Sequence, residues 1–162
     1  MHFIKAAILS LLPFVAASPV ARSFHSEIVK PAPGTIIAPG QAFDFLYDGV
    51  ADYSISGYNY SVWLLTEPPS GFLSGEDVGA GEFLGRFDYP NYPGVPYAKH
   101  PAPAQLVMPD FSRYYPGFGS GDYSSDRKVY LAVLEEYKSG RSFGFRLQLT
   151  YNELIYNSTT TS

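Results

Sequence analysis

The side chains able to do chemistry are few and scattered. The carboxylates worth weighing are Asp110, Asp122, Asp126, Glu135 and Glu136, the histidines are His25 and His100 once the first segment is set aside, and cysteine is absent. Two carboxylates held roughly 5 to 10 Å apart would serve glycoside hydrolysis, and no local spacing here enforces such a pair. Asp122-Tyr123-Ser124-Ser125-Asp126 lacks the ligand density of a calcium loop, so these acids read as solvated loop charge. A copper centre built on a terminal amine needs histidine as the first mature residue, whereas the expected cleavage leaves Ser18 there and His25 eighth. Two histidines without that amine do not specify a metal. Gly117-Phe118-Gly119-Ser120-Gly121 sets its serine out of step with a nucleophile elbow. The absence of thiols excludes zinc ribbons, thiol proteases and redox motifs. No catalytic residue, cofactor or metal ligand is assigned, and the expectation is a non-enzymatic protein. A small secreted enzyme, a carboxylate hydrolase or a copper protein using His25, is the alternative.

Recognition chemistry is better represented. Tyr89, Tyr92 and Tyr97 with Phe87 sit in a proline-rich stretch, and Phe111, Tyr114, Tyr115, Phe118 and Tyr123 in a glycine-rich one. Tyrosine offers a flat apolar face and a hydroxyl at low entropy cost, as recognition loops require. The competing reading is that these rings cover the core beneath long loops. Trp63 is the only tryptophan. It is either the buried central-strand tryptophan of a β-sandwich or an exposed platform on which the C–H face of a sugar stacks. Two sequons, Asn59-Tyr60-Ser61 and Asn157-Ser158-Thr159, offer glycosylation sites at Asn59 and Asn157. On a regular strand Asn59, Ser61, Trp63 and Leu65 share one face, so a glycan on Asn59 puts Trp63 outside. A bulge before Trp63 would instead turn it inward.

The elements that must position these residues begin after a signal segment. Lys5 precedes an apolar run from Ala6 to Ala17 that ends in small residues, the pattern of a signal peptide over residues 1–17. The run is too short for a membrane span and contains Pro13. Its removal takes Lys5 from eleven Lys and Arg while leaving fifteen acids, a net charge of −5. That balance argues against nucleic acid and anionic lipid as partners. The expected organisation is an extension at 18–26, one β domain at 27–156 and a polar tail at 157–162. Stability without disulfides then rests on burial, at about 25 cal/mol per Å² of apolar surface.

Within the domain, 36–47 reads as two short strands around Pro39-Gly40, followed by strands at 58–66, 82–87 and 105–108. Five prolines between 88 and 104 deny a ladder its donors. Residues 109–127 read as a second long loop. Lys128 to Tyr137 is apolar on both faces and predicts a central strand. Phe143, Phe145, Leu147, Leu149 and Tyr151 alternate with polar residues and predict a partner strand with that apolar stripe inside, the two forming a hairpin. About seven strands and no amphipathic helix predict an all-β immunoglobulin or fibronectin III-like β-sandwich, with a closed barrel as the fallback.

The opening of this domain, Ile28-Val29-Lys30-Pro31-Ala32-Pro33-Gly34-Thr35-Ile36-Ile37-Ala38-Pro39-Gly40, followed by Phe43-Asp44-Phe45 and Tyr47, resembles fungal small secreted proteins of mushroom-forming species. It is more distantly similar to the immunoglobulin-like domain of the Kre9/Knh1 cell-wall proteins. The resemblance covers residues 26 to 66 and extends further only as a strand pattern. It implies an association with cell-wall β-glucan assembly and no catalytic residues. The chain ends in Tyr156-Asn157-Ser158-Thr159-Thr160-Thr161-Ser162 without a hydrophobic tail, so a lipid anchor is not expected and release is. The function expected is a secreted binding or structural module acting on cell-wall polysaccharide, with an effector that binds a host protein as a further alternative.

Overall fold

The computed structural model describes residues 25–51, 54–71, 77–91, 95–111, 126–140 and 144–157. Among them are nine strands and no helix, so the protein is all-β. In chain order the strands are β1 (Glu27–Lys30), β2 (Ile36–Ile37), β3 (Ala42–Asp44), β4 (Leu46–Asp48), β5 (Ile55–Leu65), β6 (Gly81–Asp88), β7 (Gln105–Val107), β8 (Arg127–Ser139) and β9 (Arg146–Tyr156). Five of them form one sheet in the order β2-β9-β8-β5-β6, while β1 pairs with β4 and β3 with β7.

β8 lies between β9 and β5, as its two apolar faces require. Val129, Leu131 and Val133 point inward and are fully buried, Val133 and Leu131 opposite Val62 and Leu64 of β5 and Val129 opposite Leu154 of β9. Ile28, Phe43, Phe45, Tyr47 and Leu106 of the small sheets close this core from the other side. β8 and β9 run antiparallel in unbroken register from Arg127↔Tyr156 to Tyr137↔Arg146, the expected hairpin.

The strand count exceeds seven because the 36–47 region makes three pieces and β1 precedes it. The turn at Pro39-Gly40, where Gly40 takes a positive φ of 72°, does not join two paired strands. β2 runs parallel beside the end of β9, and β3 pairs antiparallel with β7. Only Phe45 separates β3 from β4, and its N–H donates to the Ala104 carbonyl at 2.9 Å.

Two irregularities set which way β5 faces. Tyr58 is an extra residue against β8, between Gly57↔Tyr137 and Asn59↔Glu136. Gly57 therefore faces inward while Asn59, two positions on, faces out. Against β6 the extra residue is Leu84, between Val62↔Gly85 and Trp63↔Phe83. This bulge belongs to the partner strand, so the alternation along β5 survives: Val62 and Leu64 are buried and Trp63 is not.

The apolar stripe of β9 faces the opposite way from the sequence expectation. Phe145, Leu147 and Tyr151 are exposed, whereas the following even positions, Leu154 and Tyr156, carry no solvent exposure at all. Period-two alternation defines two faces without naming the inner one. The choice is made by β1 and the segment after it, to which Asn152 on the even face is tied: its amide donates to the carbonyls of Ile28 at 2.9 Å and Pro31 at 3.0 Å.

Candidate functional site

The outward face of the five-stranded sheet carries rows of side chains set by strand register. One row runs Phe83, Trp63, Ala132, Tyr151 across β6, β5, β8 and β9. At about 4.8 Å per strand it spans roughly 14 Å. Trp63 is 38% exposed, Phe83 50% and Tyr151 47%. The Trp63 and Phe83 rings pack with centroids 4.8 Å apart and planes tilted by 52°. At the far end Tyr151 meets Tyr130 edge-on at 5.9 Å. Beside Trp63 lies a groove of about 240 Å³ lined by Leu65, Val78, Gly79, Ala132, Leu134 and Leu149.

The neighbouring rows grow more polar. Arg86, Ser61, Leu134 and Leu149 form the next, and Asp88, Asn59, Glu136 and Leu147 the one beyond. Arg86 bridges over β5 to Glu136 at 2.6 Å. Such a partly exposed pair contributes about 0 to 1 kcal/mol, and its value here is to hold the polar end of the face in place. Asn59 stands in this polar end, half-buried, on the same face as Trp63.

On the other side of the sheet sits a carboxylate that the sequence reading had placed in solvent. Glu135 is fully buried. It is the next inward position after Val129, Leu131 and Val133, so the alternation within β8 was the signal that located it. The Tyr47 hydroxyl donates to Glu135 Oε2 at 2.8 Å, and the Val50 N–H donates to both carboxylate oxygens at 3.2 and 3.3 Å. Loss of hydration raises the Glu135 carboxyl above its ordinary value, against the opposing pull of these two donors, and the charge on Asp48 raises it further. Burial, reinforced by Glu135, likewise raises the Tyr47 hydroxyl, and burial pushes Tyr60 up to about 12. Space beside the carboxylate exists because of glycine: a Cβ on Gly49 would stand 2.6 Å from Glu135 Oε1 and 2.8 Å from the Tyr89 ring.

Tyr89 links this cluster to the surface. Its hydroxyl accepts from the Gly49 N–H at 3.1 Å and donates to Asp48 Oδ1 at 3.2 Å. Its ring meets Tyr47 and Tyr60 edge-on at 6.4 and 6.3 Å. Over it opens a cleft of about 490 Å³ between β4 and the segment after β6, lined also by Val29, Leu46, Asp88, Pro90, Pro101 and Ala102.

The candidate residues thus separate. Trp63 and Asn59 share the open sheet face, and Tyr89 lines the cleft on the other side of β5. Tyr97 is 87% exposed and lines neither. Phe87 packs on Tyr60, and Phe111 is core, donating its N–H to the Tyr156 hydroxyl at 3.1 Å. Asn157 follows β9, and its N–H donates to the Ile37 carbonyl at 3.2 Å. Tyr92, Tyr114, Tyr115, Phe118 and Tyr123, like the signal segment 1–17, lie outside the described residues. Among the described residues no three His, Asp or Glu side chains are grouped to hold a metal ion, and no helix is long and apolar enough to cross a membrane.

No protein-family model matches this chain, and no curated protein matches it in sequence.

Proposed function

We propose that this protein is a secreted, non-enzymatic binding module with an immunoglobulin-like β-sandwich, which holds cell-wall polysaccharide on the open face of its five-stranded sheet. Support for the sandwich comes from strand order: β2-β9-β8-β5-β6 packs across one core from β1, β3, β4 and β7. The wall as the setting rests on the resemblance of Ile28 to Tyr47 to fungal secreted and cell-wall proteins. The observation that carries the binding reading is the outward apolar stripe of β9, which extends the Trp63–Phe83 pair into a row ending at Tyr151.

The chemistry suits a sugar polymer. A pyranose ring has an apolar C–H face that an aromatic ring removes from water, and hydroxyls on its rim that need polar partners. Arg86, Ser61, Asn59 and Glu136 supply such partners beside the row. A row of about 14 Å is wider than one sugar ring, which favours a chain over a monosaccharide.

A second reading is favoured by the groove beside Trp63, whose lining side chains are all apolar. A wholly apolar groove suits an aliphatic side chain of a protein partner better than a sugar hydroxyl.

Sedimentation of residues 18–162 with insoluble chitin, β-1,3-glucan and cellulose separates the two. The polysaccharide reading expects binding to at least one of them, lost in folded Trp63→Ala and Phe83→Ala. Failure to bind any of the three overturns it and leaves the protein partner.

A further inference from the structure

The cleft over Tyr89 opens beside the large sheet where Asp88 ends its outermost polar row, and its chemistry differs from that of the Trp63 row. Val29 and Leu46 form one wall and Pro90 and Pro101 the other, and Val29 and Leu46 are exposed aliphatic side chains on short strands of the small sheets. Tyr89 forms its floor, anchored through its hydroxyl to Gly49 and Asp48. Two carboxylates lie within the lining, Asp48 and Asp88, while Lys99 and His100, whose charges act on Asp88, stand outside it.

Among the described residues each carboxylate accepts hydrogen bonds through one oxygen only. Asp48 Oδ1 accepts from Tyr89. Asp88 Oδ2 accepts from the backbone N–H groups of Lys99 and His100 at 2.6 and 2.9 Å, which fixes the side chain and holds its carboxyl below the usual value. An apolar trough with fixed negative charge at its rim complements an aliphatic stem that ends in a cation. A guanidinium fits better than an ammonium, since its plane can lie on the Tyr89 ring or on proline while its N–H groups reach carboxylate oxygens.

We infer that this cleft is a second binding site, which takes an arginine side chain presented by a protein partner. The aromatic row from Phe83 to Tyr151 plays no part in this site, so either can fail without the other. The charge of the whole chain, formally −4 at neutral pH, draws a basic partner toward the protein before the cleft engages it.

The test is a titration of the mature chain with N-acetyl-arginine amide, followed by backbone amide NMR, with N-acetyl-citrulline amide and glucosamine as separate arms. Saturable shifts at Leu46, Asp48 and Asp88 are expected with the arginine derivative. Citrulline, which keeps the shape and loses the charge, is expected to bind about tenfold more weakly. Asp48→Asn keeps an acceptor for the Tyr89 hydroxyl and removes one charge, and about tenfold weaker binding is expected. Leu46→Lys sets a cation in the cleft and is expected to abolish binding. Equal binding of arginine and citrulline derivatives, insensitivity to Asp48→Asn, or shifts from glucosamine alone would each overturn the inference.

Discussion

Tyr47 and Glu135 meet in the interior from opposite layers of the fold, the phenolic O–H of β4 donating to the β8 carboxylate at 2.8 Å. The bond joins the small sheets to the large one through polar atoms, at the point where the inward row of β8 passes from Val133 to an acid. A buried acid with one phenol and one backbone N–H as donors is satisfied in hydrogen bonds but poorly compensated in charge.

That imbalance gives stability a pH dependence of known sign. The folded state raises the Glu135 carboxyl above 4.5, so it binds the proton more tightly than the unfolded chain does. The stabilisation is complete below about pH 4.5 and is lost as pH rises through the folded value. Glu135→Gln keeps an acceptor for Tyr47 and Val50 and removes the titration. Denaturant unfolding from pH 4 to pH 8 should show the variant gaining on the wild type as pH rises. A constant difference across that range would contradict the assignment. Asp44 and Asp88, both held below 3.8 by hydrogen bonds, act in the other sense, and their contribution is lost as pH falls beneath that value.

The inversion of β9 predicts unequal costs for two leucines of one strand. Leu154 is fully buried, and Leu154→Ala should cost about 2 to 5 kcal/mol. Leu147 is 56% exposed on the outer face, and Leu147→Asn should change stability by no more than about 0.5 kcal/mol. Equal losses in chemical denaturation would restore the inward stripe.

Gly81 marks where β6 first pairs with Leu65. A Cβ there would stand 2.0 Å from the Leu64 carbonyl oxygen and 2.6 Å from Leu65 Cα, both backbone atoms that cannot swing aside. Gly81→Ala should cost about 1 to 3 kcal/mol by overpacking. Hydrogen exchange should quicken first at the Leu65 end of the β5–β6 ladder, next to the Trp63 groove.

Tyr156, at the end of β9, is wholly buried, and its hydroxyl takes the Phe111 N–H at 3.1 Å. Tyr156→Phe removes that acceptor, together with the hydroxyl's contact to Asp110 Oδ1 at 3.4 Å, at nearly unchanged volume, which should cost about 1 to 3 kcal/mol. Thermal unfolding measures the loss directly, and an unchanged midpoint would mean that water or another acceptor replaces the hydroxyl.

Much of the architecture was legible in the residues. The expected strands at 58–66, 82–87, 105–108 and 128–137 appear as β5 to β8, because β-branched and aromatic runs bounded by Gly and Pro leave few other conformations open. β1 was not set apart by pattern, since its four residues carry too little periodicity to distinguish a strand from an extended loop, and the second of the two strands expected at 36–47 divides into β3 and β4.

What the sequence determined by itself is local: an all-β chain, the places of the long strands, and the division of each long strand into two faces. Tertiary structure decided which face is inside. The alternation of β9 is equally strong whichever way it points, and the docking of Asn152 against β1 turned Leu147 and Tyr151 to solvent. Trp63 stayed outside because the extra residue near it fell on β6 rather than on β5. Glu135 lay on a readable inward row, yet donors brought from 88 and 85 positions away, the Tyr47 hydroxyl and the Val50 N–H, are what satisfy its buried carboxylate. Pairings between distant segments carry no local signature, since the free energy that selects them is that of the apolar area and hydrogen bonds they complete together.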